Sequence, residues 1–218
     1  MRLLNIHGIT PKGKYNSYKG DQNGICKNLL LNKVVDKEKH TTTYKRDFST
    51  TACNQKWTTD VSEFHIAAGK LYLSPILDMH NREIVSFNIS RNPNFNQATD
   101  MLRKAFAKYN HLEGLIFHSD QGWQYQMKFY HQELEKHGIK QSMSRKGNCL
   151  DNSPMENFFG VMKNEMFYGH EYEFKSLEEL EEAMIKYIKY YNNERIMGKT
   201  KGLSPLSYRQ QSFVQLGY

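Results

Sequence analysis

Three closely spaced segments rich in β-branched and aromatic residues constrain the fold of this chain more than any other feature. They are 57–64 (WTTDVSEF), 70–78 (KLYLSPILD) and 82–90 (REIVSFNIS), and the MHNR stretch between the last two has the length of a tight turn. Short runs of this composition, separated by turns, are typical of β-strands that pair with their neighbours in sequence. The pattern therefore predicts a three-stranded antiparallel meander.

Helices and strands are expected to alternate after the meander. Apolar residues at helical spacing predict a helix over 96–109, and the apolar run LIF at 115–117 predicts a buried strand. A second helix over 128–137 should end before Gly138, and IKQSM at 139–143 has the composition of another strand. The order β-β-β-α-β-α-β belongs to the α/β class and predicts a mixed five-stranded sheet flanked by helices.

Two further helices are expected to close the chain. The first has Ser153 as its N-cap and Pro154 at the first helical position, and the second begins with the capping-box pair Ser176 and Glu179. The first helix carries an apolar stripe that should pack against the sheet or a partner, formed by Met155, Phe158, Phe159, Met162 and Met166.

The residues before Trp57 have a different character, with frequent Gly and Asn and no regular apolar pattern. They predict an irregular basic N-terminal arm or linker over 1–55, followed by a core over 56–210 and a short tail over 211–218.

The net charge of +7 is distributed unevenly along the chain. Residues 1–56 carry 11 Lys and Arg against 4 Asp and Glu, residues 57–185 carry 13 against 18, and residues 186–218 carry 6 against 1. Basic flanks around an acidic core suit a polyanionic partner, because neutralised phosphates release their counterions. On charge alone, a merely solvated surface explains the distribution equally well.

No stretch approaches the roughly 18–20 consecutive apolar residues of a membrane span, and the first residues lack the pattern of a signal peptide. Cys26, Cys53 and Cys149 are widely separated, without a CxxC pair or zinc-ligand spacing. They are expected to be free thiols in a cytoplasmic protein that has no membrane contact.

Three acidic residues stand where a solvated charge would be unusual. Asp60 lies inside the first predicted strand, Asp120 at the end of the LIF strand, and Glu156 in the first turn of the Ser153 helix. Such carboxylates can converge, and their repulsion is then offset by bound cations. Oxygen ligands favour Mg²⁺ or Mn²⁺, and two such ions can activate a water or a 3′-hydroxyl for attack on a phosphodiester. The three residues predict nuclease or strand-transfer chemistry.

Each carboxylate also has a structural explanation. Asp60 can be a turn or edge residue, Asp120 can close a turn, and Glu156 can be the capping-box partner of its helix's N-cap. Glu156 lies about 100° around the helix from the apolar stripe, on the side of Lys163, which favours a role beyond capping.

Four stretches carry a family resemblance: KWTTDVSEF, HSDQGWQY, SMSRKGNCLDNSPMENFFGVMKNE and YYNNERIMGKTKGLSPLSYR. They resemble the integrase-type catalytic protein of bacterial insertion sequences, the second-frame product of the insertion-sequence-three family. The 35 residues between Asp120 and Glu156 equal the interval usual in this family and in retroviral integrases. The resemblance covers residues 54–210 and implies a ribonuclease-H-like fold.

The resemblance implies a transposase that cleaves the ends of its element and transfers the freed strand, with Asp60, Asp120 and Glu156 as the ligands of two Mg²⁺ or Mn²⁺ ions. It also implies DNA contact at Lys163 and in the basic C-terminal signature at Arg195. The loop before the catalytic helix is expected to contact DNA, a plain basic surface loop being the alternative, through Arg145, Lys146, Asn148 and Asn152.

The expected partners are the ends of the element, target DNA and further copies of the chain in a nucleoid-associated multimer. Full-length relatives carry a helix-turn-helix region, so residues 1–55 are expected to be the remnant of a DNA-binding region. The product of an upstream frame is then a candidate partner or fusion. Two alternatives stay open from the sequence: a ribonuclease-H-like nuclease without strand transfer, and a decayed or truncated DNA-binding fragment.

Overall fold

The computed structural model describes residues 24–36, 40–92 and 95–215. Its strands are β1 (Leu31–Asp36), β2 (Thr41–Arg46), β3 (Lys56–Thr59), β4 (Ser62–Ile66), β5 (Gly69–Asp78), β6 (Ile84–Ser90), β7 (Ile116–Ser119) and β8 (Lys140–Met143). Its helices are α1 (Phe95–Lys108), α2 (Lys128–Lys136), α3 (Ser153–Met166), α4 (Leu177–Asn193) and α5 (Pro205–Gln215).

The central sheet is mixed, as predicted. β3 pairs with β5 in the antiparallel sense and with β7 in the parallel sense, β6 lies outside β5, and β8 lies parallel outside β7. The parallel strands β3, β7 and β8 therefore end at the same edge of the sheet.

The first predicted strand, 57–64, is divided into β3 and β4. Both pair with β5 in one continuous register, since Thr59 lies opposite Ile76 and Ser62 lies opposite Leu73. This register places Pro75 opposite Asp60, and a proline cannot donate a hydrogen bond to the ladder. β3 and β4 thus occupy one position in a five-position sheet, and Asp60 lies at the interruption.

Helices cover both faces of the sheet. One buried cluster contains side chains of β4, β5, α3 and α4, and the other contains side chains of β3, β7, α1 and α2. Ile76 and Leu77 of β5 belong to opposite clusters because successive strand residues point to opposite faces. The predicted stripe of α3 lies in the first cluster.

Two helices, α3 and α5, differ from the predictions. α3 has Asn152 rather than Ser153 at its N-cap, and the Asn152 side chain bonds to β3 instead of capping the helix. α5 was missed, because its mixed polar and apolar sequence has no clear helical stripe. The capping of α4 is confirmed, since Glu179 N donates to Ser176 Oγ at 3.1 Å. No helix in the described part of the chain is both long and apolar enough to cross a membrane.

The prediction of an irregular N-terminal arm is wrong for residues 31–46. β1 and β2 form an antiparallel hairpin, and the preceding Leu30 is buried in the core. Its turn, 37–39, and residues 1–23 lie outside the described residues, as do 216–218 of the predicted tail. The division into arm, core and tail stays a prediction.

Candidate active site

The three predicted carboxylates line one cleft of about 590 Å³. Asp60 follows β3 and Asp120 follows β7, and these strands are parallel neighbours, with Thr58 opposite His118. Glu156 reaches the same cleft from the first turn of α3. The ends of two adjacent parallel strands and the start of a helix therefore bring together residues that are far apart in sequence.

Asn152 joins the start of α3 to the end of β3. Its side chain accepts a hydrogen bond from Thr58 Oγ1 and donates from Nδ2 to Thr59 O at 3.1 Å. Because Asn152, Thr58 and Thr59 are all buried, these bonds hold Glu156 on the side of the sheet where Asp60 lies. Asn152 was predicted to contact DNA, but the structure places its side chain between two elements of the fold.

Each aspartate is oriented by a backbone amide. Val61 N donates to Asp60 Oδ1 at 2.7 Å, and Gly122 N donates to Asp120 Oδ1 at 2.9 Å. A Cβ atom at position 122 would lie 2.9 Å from Asp120 Oδ1, so a larger residue there would displace the Asp120 carboxylate. The second carboxylate oxygen of each aspartate is left for another ligand.

The charges of Asp60 and Asp120 are not balanced by the protein. Burial raises the pKa of Asp60, and the nearby charge of Asp120 raises it further. Burial likewise raises the pKa of Asp120. Within the described residues, no Lys, Arg or His forms an ion pair with Asp60, Asp120 or Glu156. Buried carboxylates without counter-charge are costly unless cations bind, so this oxygen donor set fits divalent metal ions.

Glu156 is less closely associated than the two aspartates. Its charge acts on Asp60 more weakly than that of Asp120 does, and it accepts a hydrogen bond from the thiol of Cys149, whose pKa it raises. Across the described ranges, no three His, Cys, Asp or Glu side chains are already gathered around a common metal position. In this arrangement Glu156 bonds to Cys149 and is not gathered with the two aspartates around one metal position.

Buried polar and aromatic side chains support the cleft. His118 lies between Ser142 Oγ at 2.8 Å and Ser144 Oγ at 3.0 Å, which links β7 to β8. Burial lowers the pKa of His118 to about 4, so it is neutral at pH 7. Tyr125 is buried against Tyr130. These residues position the strands that carry the carboxylates.

The loop between β8 and α3 forms one wall of the cleft. Arg145, Lys146 and Asn148 line the cleft, and Lys146 is exposed, while their predicted contact with DNA stays a prediction. Arg145 is exposed too, but its guanidinium is bound to Asp151 through Nε at 2.9 Å and Nη2 at 3.0 Å. Asn148 accepts a hydrogen bond from Arg46 at 3.1 Å.

Asp151 is the residue of this site that sequence reasoning missed. Its side chain has no solvent exposure, and it accepts hydrogen bonds from Arg145, from Arg46 Nε at 2.8 Å and from Asn28 Nδ2 at 3.1 Å. These donors come from the loop itself, the β1–β2 hairpin and the segment before it. The sequence did contain one signal for Asp151, because it is an acidic residue in an otherwise basic loop. Asp151 thereby ties the N-terminal segment to the wall of the cleft.

Asp151→Asn is expected to lower the free energy of unfolding by about 2 kcal/mol, because hydrogen bonds to a charged group are lost. Although burial alone would raise it, Arg145 and Arg46 hold the pKa of Asp151 well below its ordinary value of 3.8. The stabilisation is therefore present above that value and is lost as the pH falls through the lower folded pKa. Urea unfolding at several pH values measures the difference, which should shrink at acidic pH.

Glu63→Gln is the matched control, since Glu63 is exposed and its contacts are a surface ion pair with Lys70 and a surface hydrogen bond from Tyr72. It should change stability by less than about 1 kcal/mol. A wild-type stability equal to that of Asp151→Asn at neutral pH would contradict the role assigned to Asp151.

Lys163 and Arg195 lie outside the cleft. Lys163 Nζ is 4.9 Å from the centre of the Phe64 ring, and burial lowers the pKa of this lysine. Arg195 forms an ion pair with Glu165 at 2.6 Å. The structure thus places neither beside the carboxylates, and their contact with DNA stays a prediction.

The chain is similar to known proteins over nearly its whole length. Integrase core domain families match residues 50–149 and residues 156–213. An uncharacterized transposase-like protein of Haemophilus influenzae is 50% identical over 97% of this chain and 90% of that protein. The putative transposase InsK for insertion sequence element IS150, from Escherichia coli K12, is 44% identical over 98% of this chain and 70% of that protein. The chain belongs to the integrase-core transposases of the insertion-sequence-three family.

Solved structures confirm the predicted ribonuclease-H-like fold of this transposase. The HTLV-2 integrase catalytic core domain in complex with magnesium has a TM-score of 0.57 and 17% identity, covering 72% of this chain and 97% of that one. The BIV integrase catalytic core has a TM-score of 0.53 and 14% identity, covering 76% of this chain and 99% of that one. At these identities the likeness concerns the fold alone.

Proposed function

We propose that this transposase cleaves DNA at the ends of an insertion element and joins the freed 3′-hydroxyl to a second DNA, using the cleft of Asp60, Asp120 and Glu156. The observation that carries the proposal is the convergence of these carboxylates at one edge of the sheet, without a cation of the protein to balance them. Family membership supports the reaction class, because the relatives are insertion-sequence transposases.

Asp60, Asp120 and Glu156 would hold two Mg²⁺ or Mn²⁺ ions. When bound, such ions supply activation of a water or a 3′-hydroxyl and stabilise charge on the leaving oxygen. The backbone amides of Val61 and Gly122 keep one oxygen of each aspartate fixed, and both aspartates line the same cleft. Lys146 is exposed in the loop that forms one wall of the same cleft, where its charge attracts a DNA phosphate.

A strand-transfer assay tests the proposed reaction. The purified chain is incubated with Mg²⁺, a labelled duplex that ends in the terminal sequence of its element, and an unlabelled plasmid. Cleaved strands together with labelled products longer than the substrate are expected. Cleavage without longer products would instead indicate a nuclease that lacks strand transfer, and neither product would indicate a decayed DNA-binding fragment.

The proposed partners are the element's ends, target DNA and further copies of the chain. An element has two ends, so joining both to one target requires at least two clefts acting together, and mass measurement with and without DNA tests this multimer. A helix-turn-helix product of an upstream frame as partner or fusion, and a cytoplasmic, nucleoid-associated location, are part of the same proposal.

Mg²⁺ is expected to stabilise the protein before any DNA is added. A concentration about ten times the dissociation constant should add about 1.4 kcal/mol and raise the melting temperature by about 3–6 °C. Thermal unfolding over a Mg²⁺ titration measures this shift. Asp60→Asn should show little of it, because one anionic ligand is lost.

Asp100→Asn is the control for Mg²⁺ binding. Asp100 lies on α1 and pairs with Arg103 and Lys104, away from the cleft. This variant should respond to Mg²⁺ like the wild type. A wild-type melting temperature that is insensitive to Mg²⁺ would count against the metal site.

A further inference from the structure

One face of the β1–β2 hairpin combines an aromatic ring with positive charges. In the register of the hairpin, Lys33 lies opposite Tyr44 and Leu31 lies opposite Arg46. Successive side chains on a strand point to opposite faces, so Lys33, Tyr44 and Arg46 share one face, whereas Lys45 lies on the other.

This face of the hairpin adjoins the wall of the active-site cleft. The guanidinium of Arg145, which lines the cleft, lies 5.9 Å from the centre of the Tyr44 ring. Arg46, two residues along β2 from Tyr44, forms its ion pair with Asp151. Contacts of Tyr44 and Arg46 therefore place the hairpin against the loop that forms the wall of the cleft.

The segment before the hairpin keeps it in this position. Leu30 is 1% exposed within the core, and Leu29 N donates to Ser142 Oγ of β8 at 2.9 Å. Asp47, directly after β2, donates its amide to Leu30 O at 2.8 Å. Both ends of the hairpin are thus anchored to the sheet that carries the active site.

The charge and exposure of this face suit a nucleic acid strand. Tyr44 is 52% exposed, and Lys33 and Arg145 are exposed on either side of it. Arg46 and Arg145 share the single carboxylate of Asp151, so one positive charge remains unbalanced. In the part of the chain that the structure describes, Lys33 has no ion-pair partner. Exposed aromatic rings between cations bind single strands by stacking on bases while the cations hold phosphates.

We propose that Lys33, Tyr44 and Arg145 form a DNA-binding patch for the nucleotides next to the scissile phosphate. An unpaired base stacks on Tyr44, and the flanking phosphates lie at Lys33 and Arg145. The inference rests on the proposed function, because it assigns the neighbouring cleft to DNA cleavage. It gives the hairpin the specific task of holding the frayed end of a duplex.

Fluorescence anisotropy with the full chain tests the patch. The probes are a labelled blunt duplex and the same duplex with a single-stranded 3′ extension, both in EDTA so that no cleavage occurs. Tyr44→Ala should weaken binding to the extended duplex by about tenfold and affect the blunt duplex much less. Tyr44→Phe keeps the ring and should bind like the wild type.

Charge substitutions on the two faces of the hairpin provide the matched comparison. Lys33→Gln should weaken binding to both probes and reduce the slope of log affinity against log salt by about one. Lys45→Gln removes the same charge from the opposite face and should leave affinity and slope unchanged. Thermal unfolding of all four variants checks that they are folded.

Several results would overturn the patch. Equal losses of DNA affinity for Lys33→Gln and Lys45→Gln would show that the hairpin attracts DNA only through its overall charge. Unchanged binding by Tyr44→Ala would show that no base stacks on Tyr44. If Tyr44→Ala instead disrupts a dimer without affecting DNA affinity, this face serves self-association. A wild type that cleaves and joins DNA while the variants bind normally refutes the patch alone, whereas a folded wild type that binds neither probe refutes the proposed function with it.

Discussion

Asp60→Asn, Asp120→Asn and Glu156→Gln are each expected to slow DNA cleavage by at least about a thousandfold, because activation and charge stabilisation at a metal centre are worth several kcal/mol. Each amide keeps the size of the side chain but removes an anionic ligand. Binding of DNA should remain and should still weaken with salt, since it depends on phosphate contacts elsewhere on the protein. Gel assays of cleavage and anisotropy measurements of binding separate the two effects.

The same substitutions should differ in their effect on stability. In the absence of metal, Asp60→Asn and Asp120→Asn are expected to raise the melting temperature, because the repulsion that contributes to the raised pKa of Asp60 is removed. Glu156→Gln should change it less, since the charge of Glu156 acts on Asp60 more weakly. A variant that cleaves no DNA but is more stable than the wild type indicates that the charged residue serves function and not folding.

Glu133→Gln is the control for the amide series. Glu133 lies on α2 and pairs with Lys136 one helical turn away. It should keep full cleavage and wild-type stability. Undiminished cleavage by any one of the three cleft variants would remove that residue from the proposed metal site.

Arg209→Met is expected to cause the largest loss of stability, about 3–5 kcal/mol, because it leaves a buried carboxylate without its cation. Arg209 Nη2 lies 2.8 Å from Asp78 Oδ2, and its Nε lies 2.5 Å from Glu83 Oε2. Both carboxylates are fully buried, and the guanidinium also lies 4.3 Å from the centre of the Tyr109 ring. Lys108 still pairs with Glu83, so Asp78 is the group left uncompensated. Urea or thermal unfolding measures the loss.

Two further variants separate the buried charge from other effects of removing an arginine. Arg103→Met breaks an exposed ion pair with Asp100 and should change stability by less than about 1 kcal/mol. Adding Asp78→Asn to Arg209→Met should restore part of the lost stability, because the uncompensated charge is removed. Equal stability of Arg209→Met and Arg103→Met would show that the network around α5 contributes little.

The carboxylates could be predicted from the sequence because each lies at a place that local pattern reveals. A strand rich in β-branched residues holds Asp60, an apolar run ends at Asp120, and a Pro-marked helix start contains Glu156. The spacing between Asp120 and Glu156 together with the surrounding motifs then indicated one site and one family. These signals are local in the sequence. The fold then brings the three carboxylates to the same edge of the sheet.

The basic residues could not be assigned in the same way, because a cation's function depends on the carboxylate it meets in space. Arg145 forms an ion pair with Asp151, Arg195 with Glu165, and Arg209 with both Asp78 and Glu83. None of these pairs has a sequence spacing that predicts contact, although positions 145 and 151 differ by only six. The charge distribution was therefore compatible with a polyanionic partner, but it did not show which cations remain available for one.

By itself, the sequence determined the α/β class and the order of strands and helices along most of the chain, because hydrophobic periodicity and turn chemistry act over a few residues. Only the tertiary structure placed residues 24–36 and 40–47 beside the wall of the cleft, since their position depends on Ser142, Asp151 and the core around Leu30. The hairpin has little apolar pattern of its own. Its position follows from long-range hydrogen bonds and ion pairs, which a linear sequence does not display.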